Sequence, residues 1–276
     1  MTTIAIIAAG AMGSAVGKVL TRNGVKVLTN LDNRSEATRR RAREAGMVDA
    51  EAFALAENFL KESAASTRSA STPAPVYVDC NAVNPATVKQ IAALFTDTSP
   101  KFIDAGIIGG PPHDSYSPTF YASSNEDSLL DSFAKLSKYG LKISALKGEG
   151  AGIGDASALK MSYAGITKGT TGLFTTMILA AHQSSPATAD ALLRELGESQ
   201  PAFLKRIAGV IPPMVPKAYR WVGEMEEISG FVGEGEGDIY RGLAQLYSRI
   251  ERSGKEDGKD LEVLAKFVAE AKKKTE

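Results

Sequence analysis

The sequence predicts an α/β domain built on a mostly parallel sheet, followed by an all-helical domain. Its first residues alternate apolar strand, glycine turn, helix and strand, the order of a right-handed β-α-β crossover unit. Apolar runs of strand length and helical segments also alternate from Val76 to Gly148. One long helical pattern then runs from Gly152 to Gln183, and only helical patterns follow it. We expect domains at residues 1–150 and 151–276.

The composition is that of an ordinary globular protein. Hydrophobic residues make up 43% and charged residues 23% of the 276 residues, enough apolar material for buried cores. Lys and Arg together number 32, as do Asp and Glu, so the charge balance favours neither a nucleic acid nor a membrane surface as partner. One cysteine and two histidines argue against disulfides and against a metal site. Without a signal peptide or an apolar segment of membrane length, a cytoplasmic protein is expected.

The first crossover unit has recognisable ends. Thr3 to Ala8 predict a buried strand, and Ser14 to Asn23 predict a helix that ends at Gly24. Val25 to Leu31 predict a second strand, after which Ser35 caps a basic helix. This order puts the turn between strand and helix at the carboxyl edge of the sheet.

That turn nearly matches the G-x-G-x-x-G fingerprint of Rossmann-type dinucleotide-binding domains. Gly10 would let the backbone approach a pyrophosphate, and Gly13 would let the helix pack closely on the strand. Ala8 replaces the first glycine, which matters only if the position needs a positive φ. Since small residues also occur where helices pack on strands, simple packing is the alternative interpretation. The predicted cofactor contacts in the turn are Ala9, Gly10, Ala11, Met12 and Gly13.

The end of the second strand predicts which dinucleotide binds. Asn33, Arg34 and Ser35 form a loop in which Arg34 and the Ser35 hydroxyl would hold the 2′-phosphate of NADP. Asp32 keeps NAD possible, because a carboxylate here can bind the ribose 2′-hydroxyl. We interpret Arg40 and Arg41, further along the helix, as a solvated face.

The pattern becomes irregular after Gly46. The stretch MVDAEAFALAENFLKESA, residues 47–64, predicts one amphipathic helix without the strand that should precede it, and the loop STRSASTPAP follows. From there the pattern is regular again. The predicted elements are strand 76–80, helix 86–95, a strand with a glycine-rich loop at 101–112, strand 118–123, helix 127–140 and strand 141–148.

Several motifs resemble those of the β-hydroxyacid dehydrogenase superfamily, which includes 6-phosphogluconate dehydrogenase and 3-hydroxyisobutyrate dehydrogenase. The turn G-x-G-x-M-G is matched except at Ala8, and the D-x-S-T-x-x-P loop corresponds to residues 79–85. The substrate loop D-A-P-V-S-G-G is matched at Asp104, Ala105, Gly109 and Gly110, with Ile108 in place of the serine. The helix motif G-x-x-x-x-x-K-x-x-x-N is matched at Gly154 and Lys160, with Ala164 in place of the asparagine.

The segments ASALKMSYAGITKG and PKAYRWVGEMEEISGF resemble one branch of this superfamily. In that branch a 6-phosphogluconate-dehydrogenase-like C-terminal domain of uncharacterised function follows the cofactor domain. The resemblance implies a Rossmann-type domain, an all-helical C-terminal domain and homodimers formed through the C-terminal helices. It also implies an NAD(P)-dependent oxidoreductase that transfers hydride between the nicotinamide and a small hydroxy acid or carbonyl compound.

Lys160 is the predicted catalytic residue. Oxidation of an alcohol needs a base and the reverse reaction needs an acid, and a desolvated lysine can serve as both near neutral pH. The resemblance adds Asn81 as a cofactor contact and Gly109 and Gly110 as substrate contacts. Tyr163, Ser162 or Lys168 would compensate for the missing asparagine, with packing or the helix surface as the alternative interpretation of these side chains. An imine reductase on the same scaffold and a non-catalytic nucleotide-binding protein are the alternatives.

Relatives in this superfamily carry a strand, a helix and a further strand where this chain passes directly from Gly46 into its next helix. A shortened gene model or a splice variant would explain the difference, and we expect it to reduce activity. Of the other reactive side chains, Cys80 is interpreted as a small core residue, and Trp221 with Glu224 as stabilising the helical domain.

Overall fold

A computed structural model describes residues 2–49, 75–96 and 100–275 of the chain. The protein divides into two compact units, Met1–Lys160 and Met161–Glu276. The first unit combines parallel-rich sheets with helices and the second is helical, so the predicted fold class is confirmed. The predicted assignment of a cofactor domain to residues 1–150 stays a prediction.

The first sheet has the order β1-β2-β3 and is entirely parallel. Its strands are β1 (Thr3–Ala5), β2 (Lys26–Thr29) and β3 (Val48–Asp49). Helix α1 (Ala11–Arg22) joins the first two strands, and α2 (Glu36–Glu44) joins the second to the third. Gly24, with φ +80°, ends the first crossover helix as predicted.

Strand β3 corrects the sequence prediction of a helix starting at Met47. Val48 pairs with Leu28, and the Asp49 carboxylate accepts a hydrogen bond from the Leu31 amide at 3.1 Å. Met47 is buried, and its side chain packs so closely on Gly17 that a Cβ there would lie 2.9 Å from the sulfur. These contacts to β2 and α1 outweigh the local helical pattern. The rest of the predicted helix and most of the loop after it lie outside the described residues.

The second sheet has the order β4-β5-β6-β7, with one antiparallel pair, β5 and β6. Its strands are β4 (Val76–Asp79), β5 (Lys101–Ile108), β6 (Thr119–Ser123) and β7 (Lys142–Ala145). Helix α3 (Pro85–Ala93) follows β4, and α4 (Asp127–Ala134) with a 3₁₀ turn, Lys135–Tyr139, precedes β7. Within the described ranges β1 pairs with β2 alone. The predicted absence of a segment after Gly46 stays a prediction.

The two sheets share one hydrophobic core. Leu20 on α1 and Val27 on β2 belong to the same buried cluster as Phe120 on β6 and Leu141 before β7. Helix α1 therefore connects the crossover unit to the second sheet through apolar contacts, which fixes the glycine turn relative to β5.

The second unit is formed by α-helices. They are α5 (Asp155–Ser184), whose first six residues belong to the first unit, α6 (Pro186–Ser199), α7 (Pro201–Met214), α8 (Ala218–Val232), α9 (Gly237–Lys255) and α10 (Lys259–Thr275). Met225 on α8 and Tyr247 on α9 are fully buried in its core. None of the helices in the described ranges is long and apolar enough to span a membrane.

Candidate functional site

The glycine turn between β1 and α1 has the geometry of a dinucleotide-binding turn. A Cβ at Gly13 would overlap the Ala8 carbonyl oxygen, so this position must be glycine for the helix to approach the strand. A Cβ at Gly10 would meet no atom within 4 Å, which leaves open space beside the backbone. Asn33 is the one described non-glycine residue with a positive φ, so Ala8 replaces the first glycine without left-handed strain.

Helix α1 presents unbonded amides at this turn. Its first helical hydrogen bond runs from the Ser14 amide to the Gly10 carbonyl at 2.9 Å, so the amides of Ala11, Met12 and Gly13 have no acceptor inside the helix. The first turn of α1 contains no acidic residue. Such a helix start attracts phosphate through its amides and its dipole.

The loop after β2 holds the side chains predicted to select NADP. Asn33 has φ +56°, a conformation that asparagine tolerates better than most residues. The Ser35 hydroxyl accepts a hydrogen bond from the Thr38 amide at 3.3 Å and caps α2, as predicted. Arg34 is exposed, while the Asp32 carboxylate accepts a hydrogen bond from the Asn30 amide group at 3.0 Å.

Arg41 departs from its interpretation as part of a solvated face. Its side chain is half-buried, with Nε 3.5 Å from the Ala9 carbonyl oxygen and a terminal nitrogen donating to Thr38 Oγ1 at 3.0 Å. Arg40 is exposed and lies 3.8 Å from the Glu44 carboxylate, as expected for a solvated position. Arg40 and Arg41 differ in exposure because the orientation of α2 about its axis directs Arg41 towards the glycine turn.

Asp79 and Asn81 form a second polar group at the end of β4. Asp79 is 2% exposed, and its Oδ1 accepts hydrogen bonds from the Asn81 backbone amide at 3.0 Å and side-chain amide at 2.6 Å. Its other carboxylate oxygen is buried and has no hydrogen-bond partner in the described part of the chain. Cys80 is exposed, so its interpretation as a core residue is wrong. Successive side chains of a strand point to opposite faces, and Asp79 takes the inward one.

Asp104 fixes the start of α5 against β5. It is 1% exposed, and its carboxylate accepts hydrogen bonds from the Gly154 amide (3.1 Å), the Ser157 amide (3.0 Å) and the Ser157 hydroxyl (2.8 Å). The Ser123 hydroxyl donates a fourth hydrogen bond at 3.2 Å. Burial raises the pKa of the Asp104 carboxyl, while these hydrogen bonds act in the opposite direction. The motif aspartate is therefore an anchor for the helix that carries Lys160.

Lys160 lies on the second turn of α5, facing the end of β5. Its Nζ donates a hydrogen bond to the Ile107 carbonyl oxygen at 2.5 Å. Burial lowers the pKa of the Lys160 amine from its usual value. Sequence reasoning missed Gly106, which makes this contact possible, because a Cβ there would lie 2.7 Å from the Ala156 carbonyl oxygen. In the sequence, Gly106 is indicated by a glycine at the position where the superfamily motif D-A-P-V-S-G-G has proline.

The loop after β5 combines one constrained and one open glycine. Gly109 has φ +128°, and a Cβ on it would overlap the Tyr116 hydroxyl, so this position requires glycine. Gly110 has open space around it, with no atom within 4 Å of an added Cβ. The rings of His113 and Tyr116 stack at 5.3 Å in the tight turn that follows.

In the second unit, Lys168 forms an ion pair with Glu224, and less than a fifth of either side chain is exposed. The Lys168 ammonium also lies 5.2 Å from the centre of the Trp221 ring, and the Tyr247 hydroxyl donates to the Lys168 carbonyl at 2.5 Å. These contacts support a stabilising part for Trp221 and Glu224. Tyr163 is 48% exposed. The substrate contacts predicted for Lys168 and Tyr163 stay predictions.

The polar groups of the first unit fit a nicotinamide dinucleotide. The open space at Gly10 lies beside the amides that start α1, where a pyrophosphate needs both room and donors. The unpartnered oxygen of Asp79 is an acceptor for the hydroxyl or carboxamide hydrogens that such a ligand carries.

Comparisons with known proteins agree with this geometry. Residues 184–250 match the family described as a domain of unknown function, DUF1932. A conserved protein described as structurally similar to 3-hydroxyacid dehydrogenases superposes with a TM-score of 0.66 and 23% identity, covering 91% of this chain and 97% of its own. The 3-hydroxyisobutyrate dehydrogenase of Mycobacterium tuberculosis, solved with L-serine, superposes with a TM-score of 0.54 and 18% identity, covering 90% of this chain and 93% of its own.

An imine reductase variant from Myxococcus stipitatus, in complex with NAD⁺, superposes with a TM-score of 0.51 and 18% identity, covering 97% of this chain and 99% of its own. No curated protein matches the sequence. The resemblance that the motifs indicated agrees with the fold of these structures and, over residues 184–250, with the matched domain. The protein has the fold of the 3-hydroxyacid dehydrogenase-like proteins, and residues 184–250 are similar to the DUF1932 domain.

Proposed function

We propose that the protein is an NADP-dependent oxidoreductase that transfers hydride between the nicotinamide and a small hydroxy acid or the corresponding carbonyl compound. The observation that carries this proposal is Lys160, a half-buried amine with a lowered pKa, held by the Ile107 carbonyl in the unit that contains the glycine turn. The fold shared with 3-hydroxyacid dehydrogenase-like proteins supports the same reaction class.

Different residues would bind the different groups of the cofactor. The turn residues Ala9 to Gly13 would bind the pyrophosphate, and Asn33, Arg34 and Ser35 would bind the 2′-phosphate. Asn81, fixed by Asp79, would contact the nicotinamide half. When bound, the nicotinamide accepts or supplies the hydride.

Lys160 would move the proton of the reaction. As a neutral amine, its Nζ removes the proton from the substrate hydroxyl, and as an ammonium group it returns a proton to the carbonyl oxygen. Desolvation favours the neutral amine, so the base is available at a lower pH than for an exposed lysine. The open backbone at Gly110 and the constrained turn at Gly109 would hold the substrate.

Imine reduction is the second candidate, and the superposition on an imine reductase supports it. A basic lysine is suited to taking a proton from an alcohol, so Lys160 favours carbonyl chemistry over imine chemistry. The segment that the sequence predicts to be missing after Gly46 keeps a non-catalytic nucleotide-binding protein as the third interpretation.

We also propose that the protein is a cytoplasmic homodimer. Three large apolar side chains at helical spacing on α5, Ile166, Leu173 and Met177, are 68%, 54% and 59% exposed. A stripe of this kind on a helix of the C-terminal unit suits burial against the same face of a second copy.

Direct binding of the dinucleotides to the purified chain tests the proposed function. Titration with NADPH and NADH should give tighter binding of NADPH, and Arg34→Ala should remove most of that preference. A charge-assisted contact of about 1.5–3 kcal/mol corresponds to roughly tenfold or more in affinity. Turnover is then assayed on small 2- and 3-oxo acids and on cyclic imines. Absence of binding by both dinucleotides would contradict the proposed function, and turnover confined to imines would favour the second candidate.

A further inference from the structure

We propose that Arg41 is a second phosphate-binding side chain of this site, directed at the pyrophosphate beside the glycine turn, while Arg34 serves the 2′-phosphate. The inference rests on the proposed function, because it assigns a part of the dinucleotide to a residue of the same site. Sequence reasoning gave Arg41 no function, and its position in the structure is the reason for giving it one.

Among the described residues, Arg41 has no carboxylate partner of the kind that Arg40 and Arg43 have. Arg43 pairs with Glu36 at 2.5 Å, and Arg40 lies 3.8 Å from Glu44. For Arg41, no carboxylate lies within ion-pairing distance among the described residues, and its hydrogen bonds run to Ala9 and Thr38, two neutral groups. A half-buried guanidinium with five N–H donors and no anion is suited to binding one.

The Arg41 side chain points towards the glycine turn. The guanidinium reaches the carbonyl of Ala9, and the next residue, Gly10, borders open space. The unbonded amides of the first turn of α1 begin at Ala11. A phosphate bound at those amides would therefore lie beside the Arg41 guanidinium, which can donate to two phosphate oxygens at once.

Two hydroxyl groups in series hold the Arg41 side chain in place. The Ser35 and Thr38 hydroxyls are 3.1 Å apart, and Arg41 donates to the Thr38 hydroxyl at 3.0 Å. These hydrogen bonds connect the cap of α2 to the guanidinium, so Thr38 is a positioning residue for Arg41. A guanidinium fixed before binding loses less side-chain entropy when the ligand arrives.

A side chain that binds the pyrophosphate affects both dinucleotides, whereas one that binds the 2′-phosphate affects NADPH alone. NADH and NADPH share the pyrophosphate, whereas only NADPH carries the 2′-phosphate. Arg41→Ala should therefore weaken both dinucleotides by about the same factor, roughly tenfold or more. Arg34→Ala should weaken NADPH alone.

The experiment measures dissociation constants of NADH and NADPH for the full chain and for Arg41→Ala, Arg34→Ala and Arg40→Ala. Arg40→Ala is the matched control, because it removes an adjacent arginine from the exposed side of α2. Thr38→Val should cause a smaller loss that is again equal for the two dinucleotides. Thermal unfolding without nucleotide checks that each variant is folded, and Arg41→Gln replaces the alanine variant if that one is not.

An equal loss for both dinucleotides on Arg41 substitution, with Arg40→Ala unchanged, supports the inference. A loss confined to NADPH would overturn it, since Arg41 would then serve the 2′-phosphate. Unchanged affinities in Arg41→Ala, with normal binding by the unmodified chain, would overturn the inference and leave the proposed function standing. Failure of the unmodified chain to bind either dinucleotide would overturn both.

Discussion

Replacing Asp104 with alanine should loosen the start of α5 and destabilise the protein. The carboxylate is buried and accepts four hydrogen bonds, two of them from the backbone amides of Gly154 and Ser157. A buried donor without an acceptor costs about 1–3 kcal/mol, and the two amides cannot rotate to another acceptor as the hydroxyls can. Burying the carboxylate costs desolvation free energy, as the raised pKa of Asp104 reflects, and the alanine variant no longer has that cost. The net loss should be about 2–4 kcal/mol in the free energy of unfolding.

Urea unfolding followed by circular dichroism measures this difference. Asp131→Ala is the matched control, because its carboxylate is 66% exposed and forms a surface ion pair with Lys147. Such a pair contributes about 0–1 kcal/mol, so the control should unfold close to the unmodified protein. An Asp104→Ala protein that unfolds no more easily than the control would refute the anchoring of α5 by this carboxylate.

Three further predictions concern the site and the assembly. Burial lowers the pKa of the Lys160 amine below 10.5, so the rate of alcohol oxidation should rise, and the rate of carbonyl reduction should fall, as the pH passes that lowered pKa. Rates of both reactions that stay constant up to pH 10.5 would contradict this prediction. Leu173→Asp should convert the proposed dimer to a monomer in analytical ultracentrifugation, whereas a monomeric unmodified chain would exclude the dimer. Because β3 already follows Gly46, inserting a helix and a further strand after Asp49 should raise turnover, and full activity of the present chain would show that no segment is missing.

The sequence sufficed where a residue's function depends on its immediate neighbours in the chain. Gly13 must be glycine because the Ala8 carbonyl, five residues earlier in the same turn, occupies the space of a Cβ. Ser35 caps α2 by accepting a hydrogen bond from the amide three residues later. Both relations follow from spacing alone. The strands β4 to β7 were also predicted, since their apolar runs are bounded by turn residues.

The sequence did not suffice where tertiary packing decides. Strand β3 is two residues long, too short for any periodicity, and depends on pairing with β2. The need for glycine at Gly106 exists only because α5 packs on β5, and the direction of Arg41 depends on how α2 rotates against the turn. The ion pair between Lys168 and Glu224 joins residues far apart in the chain, which spacing rules cannot reveal.

The central claim is that Lys160 performs acid–base chemistry next to a bound nicotinamide. Its most direct test compares the unmodified chain and Lys160→Ala for NADPH consumption with small carbonyl compounds, with NADPH affinity measured in parallel. General acid–base catalysis typically contributes about 10²–10⁴-fold, so turnover should fall by that factor while the dissociation constant for NADPH stays nearly unchanged. Turnover by Lys160→Ala equal to that of the unmodified chain would contradict the account.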